Sequence, residues 1–482
     1  MMTRFAAGLG LTAALMAGGT SGTASAYPLD GYAETGIRRL EVYRMQATGE
    51  IPNRNVPKGA QLPTAAVEPR LIGRDIQFDI GSPDAGLSRQ LKAALGAEAP
   101  DYGVAVLDLS NPDEPLYFEY NGGVTRNVGS VGKILVGLAW FQILADVYPD
   151  DVAARERLLK DTWLTADEFI IADHHEVYFY DPATGQRSYR RIVPGDRGSL
   201  YDWLDWMLSA SNNSAASTMQ KQTMLLKHFG RDYPPSAEEE AAFWAETPAA
   251  ARKELYLGLM EDVSVRNGID PSLFRQGSFF TRVGKQRVPG TNSYGNPREI
   301  LKYLLRIEQG TLVDEWSSRE LKRLLYMTQR RIRYASHPAL TDYAVYFKSG
   351  SLYRCKPEEG FTCGKYMGND LNLLASIATI EGPVRDPRYF YLVAVSSNVL
   401  RKNSAVAHQT LALRIHRMIE AHHKEAAGDG AGTEGLPPIN PLLPFSGVRL
   451  IGDPLPAPIP APEPEASDAD APGRNEEALD PQ

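Results

Sequence analysis

Three short motifs follow one another along the chain: Ser130-Val131-Gly132-Lys133, Ser211-Asn212-Asn213 and Lys348-Ser349-Gly350. Each alone is weak, since S-x-x-K or S-x-N arises about once by chance in a chain of this length. Together they supply a nucleophile, a nearby base, a proton relay and a cationic anchor. No single stretch can present all four groups to one point. The order therefore constrains the fold, because segments 81 and then 137 positions apart must converge on one place.

A serine hydroxyl is a poor nucleophile at neutral pH and needs a base beside it. With Ser130 at a helix start, Lys133 falls three residues on, on the same face and within reach of the hydroxyl. Lys133 opens an otherwise apolar run, Ile134 to Trp140, which suits a solvated lysine badly. Burial, with a second cation at Lys348, is expected to lower its pKa and free it to act as a neutral base. The helix N-terminus offers the Ser130 N–H as half of an oxyanion hole, and Ser351 N–H is expected to supply the other half. Ser211 is expected to relay a proton to the leaving nitrogen, and Asn213 to hydrogen-bond substrate amide and Lys133. Lys348 holds the relay and biases the site toward a substrate carboxylate. Ser349, Gly350 and Ser351 complete the substrate side, with Gly350 letting a substrate backbone approach the strand edge.

Each motif also has an ordinary reading: an N-capping serine, a capping loop, a strand-end turn. A phosphate-binding loop ending at Gly132-Lys133 is rejected, because it needs glycine at Asn127 and a hydroxyl at Ile134. Ser396-Ser397-Asn398 fits S-x-N as well, but comes after the K-S-G motif. His174 and His175 are adjacent, and neighbours on a strand point to opposite faces. With no H-E-x-x-H present, no metal site is expected there. No cofactor is expected either.

The N-terminus carries Arg4, an apolar run from Phe5 to Gly19, and Ala24-Ser25-Ala26 before Tyr27. This pattern predicts a secretory signal over residues 1–26, cleaved after Ala26, and so a secreted or periplasmic protein. No other stretch is expected to span a membrane. With 51 Lys+Arg against 59 Asp+Glu, the balance argues against a nucleic-acid partner. Cys355 and Cys363, the only cysteines, are expected to pair in an oxidising compartment; closing so short a loop contributes about 2–3 kcal/mol. The alternative, a two-cysteine metal site, finds no neighbouring His or Cys ligands.

Residues 27–86 are polar and broken by Pro52, Pro57, Pro63 and Pro69, and read as an irregular extension that wraps the next domain or links to it. From Leu87 the pattern sharpens: a helix from Ser88 to Leu95, strands at Tyr102–Leu109 and Leu116–Tyr120, and a helix buried all round from Ile134 to Val147. Ser199–Met219 reads as one helical region, and the Tyr/Phe-rich sequence after Asp173-His174-His175-Glu176 as a strand pair. Further helices are expected at Ala237–Val263, Pro297–Leu305, Ser317–Thr328 and Ala405–His422, and strands at Ala344–Gly350, Leu371–Ile380 and Tyr389–Ser397. This order predicts an α+β domain, 87–425, with an antiparallel sheet formed from N- and C-terminal strands and packed against a mainly helical subdomain. Residues 426–482 are Gly-, Pro- and acid-rich and read as a disordered tail.

The three motifs and the order around them resemble the penicillin-binding and class A β-lactamase superfamily. Ser211-Asn212-Asn213-Ser214-Ala215-Ala216 is similar to its S-D-N-T-A-A stretch; Asn296-Pro297-Arg298-Glu299 and Ser318-Arg319-Glu320-Leu321 are similar to the helices after its omega loop. The resemblance implies acylation of Ser130 by a β-lactam or a D-Ala-type peptidoglycan amide, with Lys133 as base. It departs from the class A pattern at one point. The omega loop should fall between Leu273 and Tyr294, and that stretch holds no Asp or Glu to activate a deacylating water. Glu246, Glu254 and Glu261 precede it, and only an unusual loop path would bring one in. The interval from Ser130 to Ser211 is also long, and an insertion around Asp173 to Pro194 accounts for it and is expected to roof the site. Two readings follow: an exported serine hydrolase, β-lactamase or D,D-peptidase, and a penicillin-binding sensor that acylates without efficient turnover.

Overall fold

The computed structural model describes residues 30–52, 58–73, 80–171, 173–329 and 331–426. The expected signal segment lies outside these residues, as does the tail apart from Ala426. Five strands form one antiparallel sheet among the described residues: β1 (Tyr102–Asp108), β2 (Leu116–Tyr120), β3 (Ala344–Arg354), β4 (Leu371–Gly382) and β5 (Tyr389–Ser397). Their spatial order is β2–β1–β5–β4–β3. β1 pairs with β5 from Tyr102↔Ser397 to Asp108↔Tyr391, which leaves β3 as one edge of the sheet.

Successive side chains on a strand point to opposite faces, and here both faces are apolar. Ala105, Leu107, Ile377 and Leu392 enter one core; Val104, Val106, Ile380 and Val393 enter the other. A sheet apolar on both faces needs helices on both. The second core takes α1 (Ala85–Leu95) and the C-terminal helix Ser404–Ala426. The first takes α2 (Lys133–Val147), α3 (Leu200–Leu208), α4 (Asn213–Phe229), α5 (Pro297–Glu308) and α6 (Glu315–Tyr326).

α2 is buried from Lys133 to Ala145. Together with the turn before it, Gly129–Val147 is long and apolar enough to cross a membrane by length and composition alone. Its burial inside the core accounts for that apolarity instead. Two expected helices are each divided. Ala237–Glu246 and Ala249–Arg266 are separated at Thr247-Pro248, where proline forces the preceding residue to be extended. α3 and α4 are separated at Ser209–Asn212, which holds the first two residues of the S-x-N motif, and its Asn213 opens α4. β3 also continues to Arg354, so the K-S-G motif sits within a strand and not at its end. The disulfide Cys355–Cys363 follows directly.

The segment before α1 is more ordered than its prolines imply. It holds short helices at Gly31–Thr35 and Glu41–Ala47, and Leu40, Leu62 and Leu71 are buried in the first core. Buried ion pairs fasten it. Arg39 makes a bidentate contact with Asp205 of α3, at 2.6 and 2.7 Å. Arg70 donates twice to Glu381 of β4, at 2.9 and 2.7 Å, while Lys322 of α6 bonds Glu308 of α5 at 2.7 Å and Glu381 as well. Two cations face two carboxylates here, and all four are buried. Removing one member of such a network leaves an uncompensated charge out of water. Glu381→Ala is therefore expected to lower the free energy of unfolding by about 3–5 kcal/mol in chemical denaturation; a loss below about 1 kcal/mol would show that the network does not hold the segment.

Candidate active site

Ser130 lies in a 3-10 turn, Gly129–Gly132, that leads into α2. In such a turn residues i and i+3 eclipse, which sets Lys133 directly beneath Ser130. Lys133 Nζ is 2.8 Å from Ser130 Oγ, 2.7 Å from the Ser211 carbonyl oxygen and 2.7 Å from Asn213 Oδ1. The last two oxygens only accept, so they take two N–H bonds. The remaining position on Nζ faces the serine: a third N–H when the lysine is charged, a lone pair when it is neutral. Lys133 has no exposed surface, and burial pulls its pKa down to about 7 against the opposing charge of Asp173. The amine is thus about half neutral at neutral pH. Of the two expected causes, desolvation in the wall of α2 is the one that acts on Lys133, and the repulsion between the two lysines is felt at Lys348.

Ser211 occupies the break between α3 and α4 with φ of +62°, a left-handed conformation that a serine adopts only under constraint. Its hydroxyl accepts from Lys348 Nζ at 2.7 Å. Lys348 is buried on the edge strand, and desolvation, then the nearby cations Lys133 and Arg333, push its pKa well below the usual lysine range. Strand alternation divides the K-S-G stretch between two faces, Lys348 and Gly350 on one, Ser349 and Ser351 on the other. Gly350 is required by close approach: a Cβ there would lie 2.2 Å from Val128 O and 2.3 Å from Ser130 N. Gly129, with φ of +53°, meets the same contact from the other side, its would-be Cβ 3.1 Å from Ser351 N. The backbones that carry the Ser130 and Ser351 amides are thereby packed together.

Ser349 and Ser351 are held by a residue the motifs did not indicate. Arg333 donates to Ser349 Oγ at 2.8 Å, Ser351 Oγ at 3.0 Å and the Tyr366 hydroxyl at 3.2 Å. Among the described residues no carboxylate contacts it, and its Nε has no partner. Arg333 also has a left-handed backbone, φ +54°. A cation bonded only to neutral hydroxyls beside Lys348 is an open seat for an anion. The basic run just before the K-S-G strand was the available signal, but a run of charge is more often a solvated surface.

The segment Leu273–Tyr294 packs against the nucleophile turn. Gln276 is buried with Oε1 unpartnered among the described residues, and a Cβ on Gly132 would meet that oxygen at 2.0 Å. The Phe280 ring lies 4.5 Å from Lys133 Nζ. None of Glu246, Glu254 and Glu261 hydrogen-bonds Ser130 or Lys133, whose described bonds are accounted for above. His174 and His175 precede the hairpin Glu176–Tyr180/Arg187–Arg191 and do not lie on it. Their rings stack at 4.3 Å, so the expected opposite-face arrangement does not hold.

No family model and no curated protein matches the chain. Among solved structures it is similar to PBP-A, at 14% identity and a TM-score of 0.43, over 72% of this chain and 100% of that one. It is similar to a class A β-lactamase from Bacteroides cellulosilyticus, at 15% identity and a TM-score of 0.43, over 71% of this chain and 99% of that one. A class A β-lactamase variant of the last common ancestor of Gram-negative bacteria matches at 19% identity and a TM-score of 0.43, over 69% and 99%.

Lys133 links the site to stability. Its folded pKa of about 7 lies below the unfolded value near 10.4, so between the two the unfolded chain binds more protons. Stability should therefore rise with pH from about 7 to 10.4, by up to about 1.4 kcal/mol per pH unit from this group, and lose that slope below pH 7. In chemical denaturation over a pH series, Lys133→Met is expected to flatten the rise. Equal slopes in both proteins would contradict a buried, neutralised Lys133.

Proposed function

We propose that this chain is an exported serine hydrolase of the penicillin-binding and class A β-lactamase type, whose catalytic unit spans 87–425. The observation that carries the reading is the buried Lys133 amine, 2.8 Å from Ser130 Oγ and with a pKa of about 7. Neutral Lys133 takes the Ser130 proton while Oγ attacks the substrate carbonyl carbon. The oxyanion that forms is met by the Ser130 and Ser351 N–H groups. As the carbon–nitrogen bond breaks, the leaving nitrogen takes a proton from the Ser211 hydroxyl, which Lys348 Nζ holds at 2.7 Å, and the proton that Lys133 took from Ser130 restores the hydroxyl. The product of this half-reaction is an ester on Ser130.

The substrate we infer is a β-lactam or a D-Ala-type peptidoglycan amide. The motif resemblance supports that class, and Arg333, which bonds hydroxyls and no carboxylate among the described residues, supports a substrate carboxylate. Asn213 aligns the amide from the opposite side. The disulfide Cys355–Cys363 supports an oxidising compartment. A second reading, a sensor or slow D,D-peptidase that keeps its acyl group, is favoured by one observation: Phe280 and Gln276, not a carboxylate, face the Ser130–Lys133 turn from Leu273–Tyr294.

Intact mass and absorbance after mixing with a chromogenic β-lactam test the reading. The wild-type chain should gain the mass of one opened β-lactam, and Ser130→Ala should gain none; an adduct that persists in Ser130→Ala would refute the nucleophile. Rapid colour change separates a β-lactamase from a lasting adduct without turnover. Arg333→Ala should weaken apparent affinity for a carboxylate-bearing β-lactam by roughly 10–100-fold, as expected for loss of a charge-assisted hydrogen bond.

A further inference from the structure

Asp173 lies outside all three motifs, yet its carboxylate is buried, 3% exposed. Its Oδ2 accepts from the backbone N–H groups of Asn213 at 2.6 Å and Ser214 at 3.0 Å. Its Oδ1 accepts from His174 N at 2.8 Å, His175 N at 3.2 Å and His175 Nδ1 at 2.6 Å. Asp173, His174 and His175 bring ligand atoms within 4.8 Å of one another. Five donors already fill the two oxygens, however, and leave no lone pair for a cation. The cluster is a hydrogen-bonded joint, not a metal centre.

The joint is fastened to the site. The two backbone donors that Oδ2 takes are the first of α4, where the helix presents unpaired N–H groups and positive partial charge. Asn213 is thereby tied at both ends, its N–H to Asp173 and its side-chain oxygen to Lys133 Nζ. Asn212 closes the ring: its Oδ1 accepts from Ala215 N at 2.7 Å, and its Nδ2 donates to the His175 carbonyl at 3.0 Å. Ser211, strained at φ +62°, is the next residue back. Hydrogen bonds to His175 and to the backbone outweigh burial and hold the Asp173 carboxyl well below its usual range, so it stays anionic. Among the described residues the charged and titratable groups around Lys133 are Asp173, His175 and Lys348, with Arg333 near Lys348; Phe280, facing it from the other loop, is uncharged.

We propose that Asp173 is the positioning carboxylate of this site: it fixes the turn bearing Ser211 and Asn213, sets a negative charge against Lys133, and is itself held by His175. The inference rests on acylation at Ser130. It relocates the site's acid from Leu273–Tyr294, which has none, to the segment before the hairpin. In this role Asp173 limits how far burial depresses Lys133, so that the base titrates near neutrality and not below it.

The test is the acylation rate of the full chain by a chromogenic β-lactam over a pH series. In wild type the rate should fall toward acid with a limb near pH 7. Asp173→Asn keeps an acceptor for α4 but loses the charge, and should move that limb about 1 unit toward acid. Asp173→Ala loses both and should lower the plateau by about 10–100-fold. His175→Ala should show part of that loss, and His175→Asn, which restores a donor at the Nδ1 position, should recover it. An unmoved limb in Asp173→Asn overturns the proposal, as does a wild-type plateau in a folded Asp173→Ala. If Asp173→Ala fails to fold, the limb of Asp173→Asn decides. A His175→Asn variant that acylates normally but keeps its adduct about ten times longer overturns the holding role in favour of a base in deacylation. Wild-type chain that forms no adduct at all overturns instead the reading of Ser130 on which this one stands.

Discussion

The structure turns on a lysine kept out of water. Lys133 gives up hydration in the wall of α2 and recovers three oxygen contacts, to Ser130, Ser211 and Asn213. Those contacts come from two parts of the chain and fix the distance between the nucleophile turn and the α3–α4 break. Because the ammonium is poorly solvated there, the amine shares its time between charged and neutral forms near neutral pH. A buried lysine without carboxylate hydrogen bonds is destabilising, and the surrounding apolar core and buried ion pairs offset it. Stability is thus spent at the point where a reactive serine needs its base.

The sheet makes this placement rigid. α2 rests on one face through Ile134 and Leu138, which join Ala105, Ile377 and Leu392 in one core. β3 is the sheet edge, so Lys348 reaches Ser211 from a strand fixed by eleven residues of pairing with β4. Gly350 lets that edge touch the Ser130 turn. The N-terminal segment contributes from behind, through Arg39 to Asp205 of α3 and Arg70 to Glu381 of β4. It is part of the packing that holds the helices and the sheet together.

Much of the α+β character was legible in the sequence because strands such as Leu116–Tyr120 and Tyr389–Ser397 are short apolar runs with clear ends. The helix break at Ser209–Asn212 was not. Ser209–Asn212 has no proline or glycine, and its interruption comes from tertiary bonds: Asp173 and Asn212 capping α4, and Lys348 drawing on Ser211. The five motif residues that meet around Ser130 were readable as a set because their chemistry requires one another. Arg333 and Asp173 were not, since their significance lies in what surrounds them. Arg333 is distinguished by having no carboxylate against it among the described residues, and Asp173 by five donors contributed from two segments about 40 positions apart.

The most direct measurement is the titration of the Lys133 amine itself, followed by NMR of isotopically labelled lysine and assigned with a Lys133 variant. The account predicts a midpoint near pH 7, far below an ordinary lysine. A midpoint above about 10, as in a solvated lysine, would contradict it and leave Ser130 without a neutral base.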